Sequence, residues 1–343
     1  MPALAVADAL RAEGAEVIFI GGVTAREAGP PLERRLVPEA GYELRTLRVL
    51  PLPRGQPLRA ARIAVTDALA TLAAWSLLGE LRPDAVMGGG GFVAGPVGLA
   101  ALLRRLPLVL TEADSHLGLT NRLLAPFARR VCLAFPIPGR DGPRYRVTGR
   151  PVPHPAFDRG AARERFGIGL DETCVLVFGG SQGARSINHA AVEAFAGATF
   201  RVLHAAGERD LPTLTAPGPH YDLRGYIADF AEALEASDLV VARAGGSIFE
   251  IAAHGKPAVL IPYPHATADH QSENAEFMAR AGAAVVIPDR ELSGARLAQE
   301  VGRLLSDPSL LGSMARASAE LARPEAAREI ALEVLRAARH DPR

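Results

Sequence analysis

Between Leu239 and Asn274 the chain reads LVVARAGGSIFEIAAHGKPAVLIPYPHATADHQSEN. A β-branched run, Leu239 to Val241, meets a glycine pair, Gly245 and Gly246. Ser247 then stands where a helix cap belongs, ahead of Ile248, Phe249, Ile251 and Ala252. Gly255, Lys256 and Pro257 stop that helix, and Ala258 to Ile261 reads as the next buried strand. A loop carrying Gln271 and Asn274 follows. Strand, glycine loop, helix and strand in this order make a parallel α/β unit. Such sheets keep ligands at the carboxyl ends of their strands. A helix start favours an anion, and Glu250, one turn in, can accept from two hydroxyls. Phosphate beside a diol is what a nucleotide offers; an ordinary capped βαβ unit has the same spacing.

The pattern recurs. Pro83 to Met87 runs into Gly88–Gly91, Phe92 and a helix expected from Val97 to Leu103. Thr173 to Phe178 runs into GGSQGAR and a helix from about Ser186. Both loops suit phosphate, through close backbone approach and a helix start behind them. Neither is a GxGxxG or Walker loop, so dinucleotide and ATP sites lack their fingerprints. Leu108 to Leu110 reads as a strand ending at Thr111, Glu112, Ala113, Asp114, Ser115 and His116, polar residues again at a carboxyl end. The proline-rich 136–158 reads as a connection without an element of its own, placing a domain boundary near Pro151.

The 343 residues suffice for two domains, and 48% hydrophobic residues supply a core for each. A formal net charge of zero argues against nucleic acid as a partner. Cys132 and Cys174 sit in apolar strand-like runs and are expected as buried free thiols. No apolar run has the length of a membrane span, since Arg104 and Arg105 interrupt the best one. Trp75, the single tryptophan, suits either core packing or a membrane interface. Residues 2–13 have helical apolar spacing, yet a parallel α/β sheet normally opens with a strand, and none precedes this helix.

In combination and order, GGGGFVAGP, EADSHLGLTNR, GGSQGARSIN and RAGGSIFEIAAHGKPAVLIPYPHATADHQSEN resemble the MurG family. The resemblance runs from about Pro2 to the end. It implies an α/β fold of GT-B type: two Rossmann-like domains with parallel sheets facing a cleft, the first strand of domain 1 absent. The domains would be residues 1–150, for the acceptor and membrane, and 151–343, for UDP-GlcNAc, with a helix at about 325–339 packing back on the first. It implies inverting transfer of GlcNAc from UDP-GlcNAc to the C4 hydroxyl of undecaprenyl-linked lipid I, giving lipid II in peptidoglycan synthesis, by a peripheral enzyme on the cytoplasmic face of the cell membrane, without metal or other cofactor. Carried over by position, Ser181 meets the donor phosphate, with Gln182 and Gly183 beside it. Ile227 holds uracil through its backbone. Gly245, Gly246, Ser247, Ile248, Phe249 and Glu250 border the nucleotide, and Glu250 accepts from the ribose. Gln271 reads the sugar hydroxyls with Asn274 beside it, and Asp114 stands where the family places asparagine at the sugar. Gly89, Gly90, Gly91 and Phe92 match a segment attributed to the acceptor pyrophosphate.

The family opens with a strand and a GGTGGHxxP loop, and this sequence begins at that loop's proline. Met1 is therefore expected to be an internal methionine of a longer reading frame; an early in-frame stop upstream, with no GGTGGH-like codons, would refute this. With the family's histidine not in the sequence, Asp114, Glu112 and His116 are, in that order, the expected general bases. Three alternatives stay open: another UDP-sugar lipid transferase of this fold, a UDP-GlcNAc epimerase, and an inactive nucleotide-binding partner.

Overall fold

The computed structural model describes residues 2–23, 32–49, 57–152, 158–180, 183–266 and 269–339. The chain divides into two compact units, Met1–Val152 with Glu325–Arg343, and Pro153–Pro324. The first unit contains α1 (Pro2–Ala12), β1 (Ile18–Val23), α2 (Leu32–Glu39), β2 (Glu43–Arg48), α3 (Pro57–Leu81), β3 (Val86–Gly88), α4 (Gly91–Leu103), β4 (Leu108–Glu112), α5 (Leu119–Leu124), β5 (Arg130–Leu133) and β6 (Tyr145–Val147). Its strands form two parallel sheets, β1-β2 and β3-β4-β5-β6, and no described strand joins β1 to β3. The two sheets nevertheless share a core: Ile20, Leu47 and Val49 pack with Val86, Leu108, Leu110, Val131 and Leu133. β4 is covered on both faces, which is why Leu108, Val109 and Leu110 form a continuous apolar run without alternation.

Two expectations change here. Helix α4 starts at Gly91, inside the glycine run, rather than at Val97. Gly90 and Gly91, both at φ 79°, turn the chain sharply enough to begin the helix at once. Pro96 then falls inside the helix, where it removes one ladder bond. The proline-rich connection also holds a strand, since β6 pairs in parallel with β5 from Val131↔Tyr145 to Leu133↔Val147. It is an edge strand, so its prolines can flank it without breaking an inner ladder.

The second unit contains α6 (Arg159–Arg165), β7 (Cys174–Phe178), α7 (Arg185–Ala194), β8 (Arg201–Ala205), β9 (Tyr221–Arg224), α8 (Phe230–Ala236), β10 (Leu239–Ala242), α9 (Ile248–Ala253), β11 (Ala258–Leu260), α10 (His270–Arg280), β12 (Ala284–Val286), α11 (Gly294–Leu305) and α12 (Pro308–Glu320). Its parallel sheet has the order β12-β11-β10-β7-β8-β9. Crossovers leave β7 in one direction and enter β10 in the other, so the topological switch point lies between these two neighbours. The single lysine, Lys256, is buried after α9. It donates to the carbonyls of Glu235 (2.9 Å) and Ser237 (3.0 Å) at the end of α8. Burial pulls its ammonium down to about 8. Cys132 and Cys174 are buried free thiols.

The last helix, α13 (Ala326–Arg339), belongs to the first unit. Ile330, Ala331 and Val334 share a core with Val6, Leu10, Val109 and Cys132. Glu333, 2% exposed, accepts from Arg130 (2.6 Å), Arg146 (2.8 Å) and Arg336 (2.6 Å). Burial alone would raise its carboxyl, but the arginines hold it below its ordinary value.

Candidate active site

In the second unit the two glycine loops leave adjacent strands, since Ala242 at the end of β10 pairs with Phe178 at the end of β7. Space makes two glycines of the first loop obligatory. A Cβ on Gly179 would lie 2.3 Å from the Ala184 nitrogen, and one on Gly183, at φ 74°, would lie 1.9 Å from the Ala206 carbonyl oxygen. Ser181 and Gln182 lie outside the described residues. Behind the loop, α7 begins at Arg185, and its first-turn amides have no intrahelical acceptor.

After β10 the expectations for Gly245–Glu250 are refined. Ser247 precedes α9 but has helical backbone (φ −64°, ψ −14°) and makes no capping hydrogen bond. Its side chain does not cap the helix as the sequence suggested, because that geometry turns the hydroxyl away from the N2 and N3 amides. Ile248 and Phe249 are buried, as is Ile227, so these three offer a ligand only their backbone. Glu250 lies in the first turn of α9 and is half-buried.

Gln271 and Asn274 are not on a loop; they sit on α10, three residues apart and therefore on one face. Gln271 accepts from the Tyr263 amide (3.0 Å), and a Cβ on Gly245 would stand 3.8 Å from its Nε2. Asn274 donates to the Ala244 carbonyl (3.0 Å). Its amide oxygen is buried with no partner among the described residues. One helix face thus reaches the loops after both β10 and β11.

The first unit repeats the arrangement. Gly89 and Gly90 follow β3, and Glu112 ends its neighbour β4, with Ala113–His116 following. Phe92, in the first turn of α4, is 39% exposed. Glu112 is buried, and its carboxylate accepts from the amides of Ala113 (3.0 Å), Asp114 (3.2 Å) and Gly118 (2.8 Å) and from Asn121 Nδ2 (2.9 Å). Four donors on two oxygens make it the organiser of its loop. Asp114 and His116, on the same loop, are half-buried.

Thr120 and Asn121 were not singled out from sequence. Thr120 donates to the Gly91 carbonyl (3.0 Å), and Asn121 donates to the Thr111 carbonyl (2.9 Å) as well as to Glu112. The start of α5 therefore stitches the glycine run to the acidic loop. A polar pair opening a helix directly after that loop was the available signal. Among the described residues no group of three or more His, Cys, Asp or Glu is placed to share a metal ion.

Comparison with known proteins agrees with this arrangement. The N-terminal domain model of glycosyltransferase family 28 matches residues 1–133, and its C-terminal domain model matches residues 174–330. A protein of Moorella thermoacetica is 41% identical, over 98% of this chain and 95% of its own. One of Alkalilimnicola ehrlichii is 42% identical, over 98% and 95%. Both are named UDP-N-acetylglucosamine–N-acetylmuramyl-(pentapeptide) pyrophosphoryl-undecaprenol N-acetylglucosamine transferase. The crystal structure of Acinetobacter baumannii MurG matches at 28% identity and a TM-score of 0.76, over 98% of this chain and 95% of its own. Calicheamicin glycosyltransferase CalG4, at 18% identity and a TM-score of 0.71, shares the fold. With two Rossmann-like units of GT-B type and matches along nearly its whole length, this chain belongs to the MurG family within glycosyltransferase family 28.

Proposed function

We propose that this chain transfers N-acetylglucosamine from UDP-GlcNAc to the C4 hydroxyl of an undecaprenyl-pyrophosphoryl N-acetylmuramyl pentapeptide, forming lipid II with inversion at the anomeric carbon. The observation that carries this is the pair of glycine loops at the switch point of the second unit, in a chain about 40% identical to transferases named for this reaction. The second unit takes the donor. Ser181, Gln182, Gly183 and the start of α7 receive the diphosphate. The Ile227 backbone receives uracil, Glu250 the ribose hydroxyls, and Gln271 with Asn274 the sugar. Backbone amides and a helix start are fixed dipoles, so they stabilise charge building on the departing UDP with little reorganisation.

The first unit takes the acceptor. Gly89, Gly90, Gly91 and Phe92 approach its pyrophosphate at the start of α4, a thirteen-residue helix. As the acceptor hydroxyl attacks, its proton passes to Asp114. Glu112 is committed to holding the loop, and His116 ranks behind Asp114 as the base. The acceptor's lipid calls for a membrane surface. Helices α3, α4 and α5, packed in sequence, expose Leu72 (63%), Trp75 (45%), Leu103 (64%) and Leu123 (63%), and the 3-10 turn after α5 exposes Phe127 (70%). Arg104 lies 4.0 Å over the Trp75 ring, and Arg105 and Arg122 are exposed on the same helices or at their ends. No described helix is long and apolar enough to cross a membrane. This face supports docking on the cytoplasmic membrane surface, apolar groups inserted and guanidinium groups at the anionic headgroups.

The test is product analysis with radiolabelled UDP-GlcNAc and lipid I in detergent or vesicles. Labelled lipid II is the expected product. Sugar epimerised without acceptor, or label passed to diacylglycerol in preference to lipid I, would replace the proposal with one of its rivals.

A further inference from the structure

Arg243 follows β10 directly, immediately before the Ala244–Ser247 segment, and is only 8% exposed. Its Nη1 donates to the carbonyls of Ile261 (3.1 Å) and Pro262 (3.2 Å) and to Asp289 Oδ1 (2.6 Å). Its Nη2 donates to the Ser186 hydroxyl (2.8 Å), which in turn donates to the same Asp289 oxygen (2.7 Å). One planar group therefore ties four places together: the segment that opens with Gly245 and Gly246, the first turn of α7, the loop after β11, and Asp289 beyond β12. The loop after β11 is also the one whose Tyr263 amide donates to Gln271. A guanidinium suits this work because its donors are fixed in one plane, whereas an ammonium makes no such fork. A buried charge of this kind is tolerated only when paired, and Asp289 supplies the counter-charge.

We propose that Arg243, Ser186 and Asp289 form a positioning strut, which sets the spacing between the two glycine loops and thereby the affinity for the nucleoside diphosphate. The strut touches no reacting atom, and its function rests on the donor site proposed above. Its loss therefore weakens donor binding without slowing the chemical step.

The experiment measures steady-state KM and kcat for UDP-GlcNAc, calorimetric Kd for UDP, and thermal midpoints, for the wild type, Asp289→Asn, Arg243→Lys, Ser186→Ala and Ser186→Thr. Asp289→Asn and Arg243→Lys are expected to raise KM and Kd together, by about fivefold to tenfold, with kcat within about twofold. Ser186→Ala shifts both in the same direction by less and serves if the charge variants fold poorly, and Ser186→Thr, which keeps the hydroxyl, restores them. A lowered thermal midpoint with KM and Kd unmoved would reduce the cluster to a structural tie and overturn the proposal. A fall in KM in Asp289→Asn would overturn it in the opposite sense, with Asp289 competing for the arginine. Wild-type protein that binds no UDP would remove the donor site itself, and the strut's role with it.

Discussion

His204, in the middle of β8, is fully buried, and its neighbours dictate its tautomer. Asn188 gives its Nδ2 hydrogens to the Ala206 carbonyl (2.8 Å) and Asp210 (3.2 Å), so the Oδ1 that faces His204 Nε2 (3.0 Å) accepts. Nε2 therefore carries the proton, and the Tyr221 hydroxyl donates to Nδ1 (2.7 Å). Burial lowers the imidazole pKa from 6.5 to about 4. The unfolded chain gains a proton below about pH 6.5 while the folded one resists until about pH 4. The contribution is whole above 6.5 and drains as pH falls to 4, by roughly 3 kcal/mol. Urea unfolding at pH 7.5 and pH 4.5 should show the wild type losing more stability between the two than His204→Leu does. Asp114 gives the second prediction at this scale: Asp114→Asn should cut turnover on lipid I by about a hundredfold or more, leaving UDP affinity within about twofold. Unchanged turnover excludes it as the base.

Among elements, the start of α5 is the one whose importance was hidden. Asn121→Leu would take one donor from the buried Glu112 carboxylate and free the Thr111 carbonyl, a cost of about 1–3 kcal/mol. Loss of stability together with a raised KM for lipid I, at constant donor KM, is the expected pattern. The strands and glycine turns were plain in sequence because an apolar run ending at Gly-Gly has few alternatives in an α/β chain. Helix α10 was not. His270 to Glu273 are all polar, and it follows Asp269 at φ 55°, a left-handed turn that leaves no glycine signature. Read as a loop, the segment hid the shared face of Gln271 and Asn274. β6 was missed for a similar reason: a three-residue edge strand among prolines makes too few contacts to impose a pattern on its side chains.

At the scale of the molecule, the chain returns to its first unit at the end, where α13 packs on one side of α1 while Val37 and Tyr42 pack on Ala7 of the same helix. Removing residues 325–343 takes Ile330, Ala331 and Val334 out of that core and strands Arg130 and Arg146. Hydrogen exchange should accelerate in β4 and β5 while β7 and β10 keep their protection; equal loss in both units would show that they unfold as one. Local spacing showed only an amphipathic terminal helix, since contacts made across so many residues leave no mark on it; the expectation that this helix packs back on the first domain came from the family resemblance alone. Lys256 has a last consequence. Every other cationic side chain except histidine is a guanidinium, and this one ε-amine sits beneath the carbonyls of Glu235 and Ser237. An acylating reagent can reach it only when that part of the second unit opens. The slow appearance of a modified Lys256, read by peptide mass, is thus a built-in clock for breathing of the unit assigned to the donor, and saturating UDP should slow it.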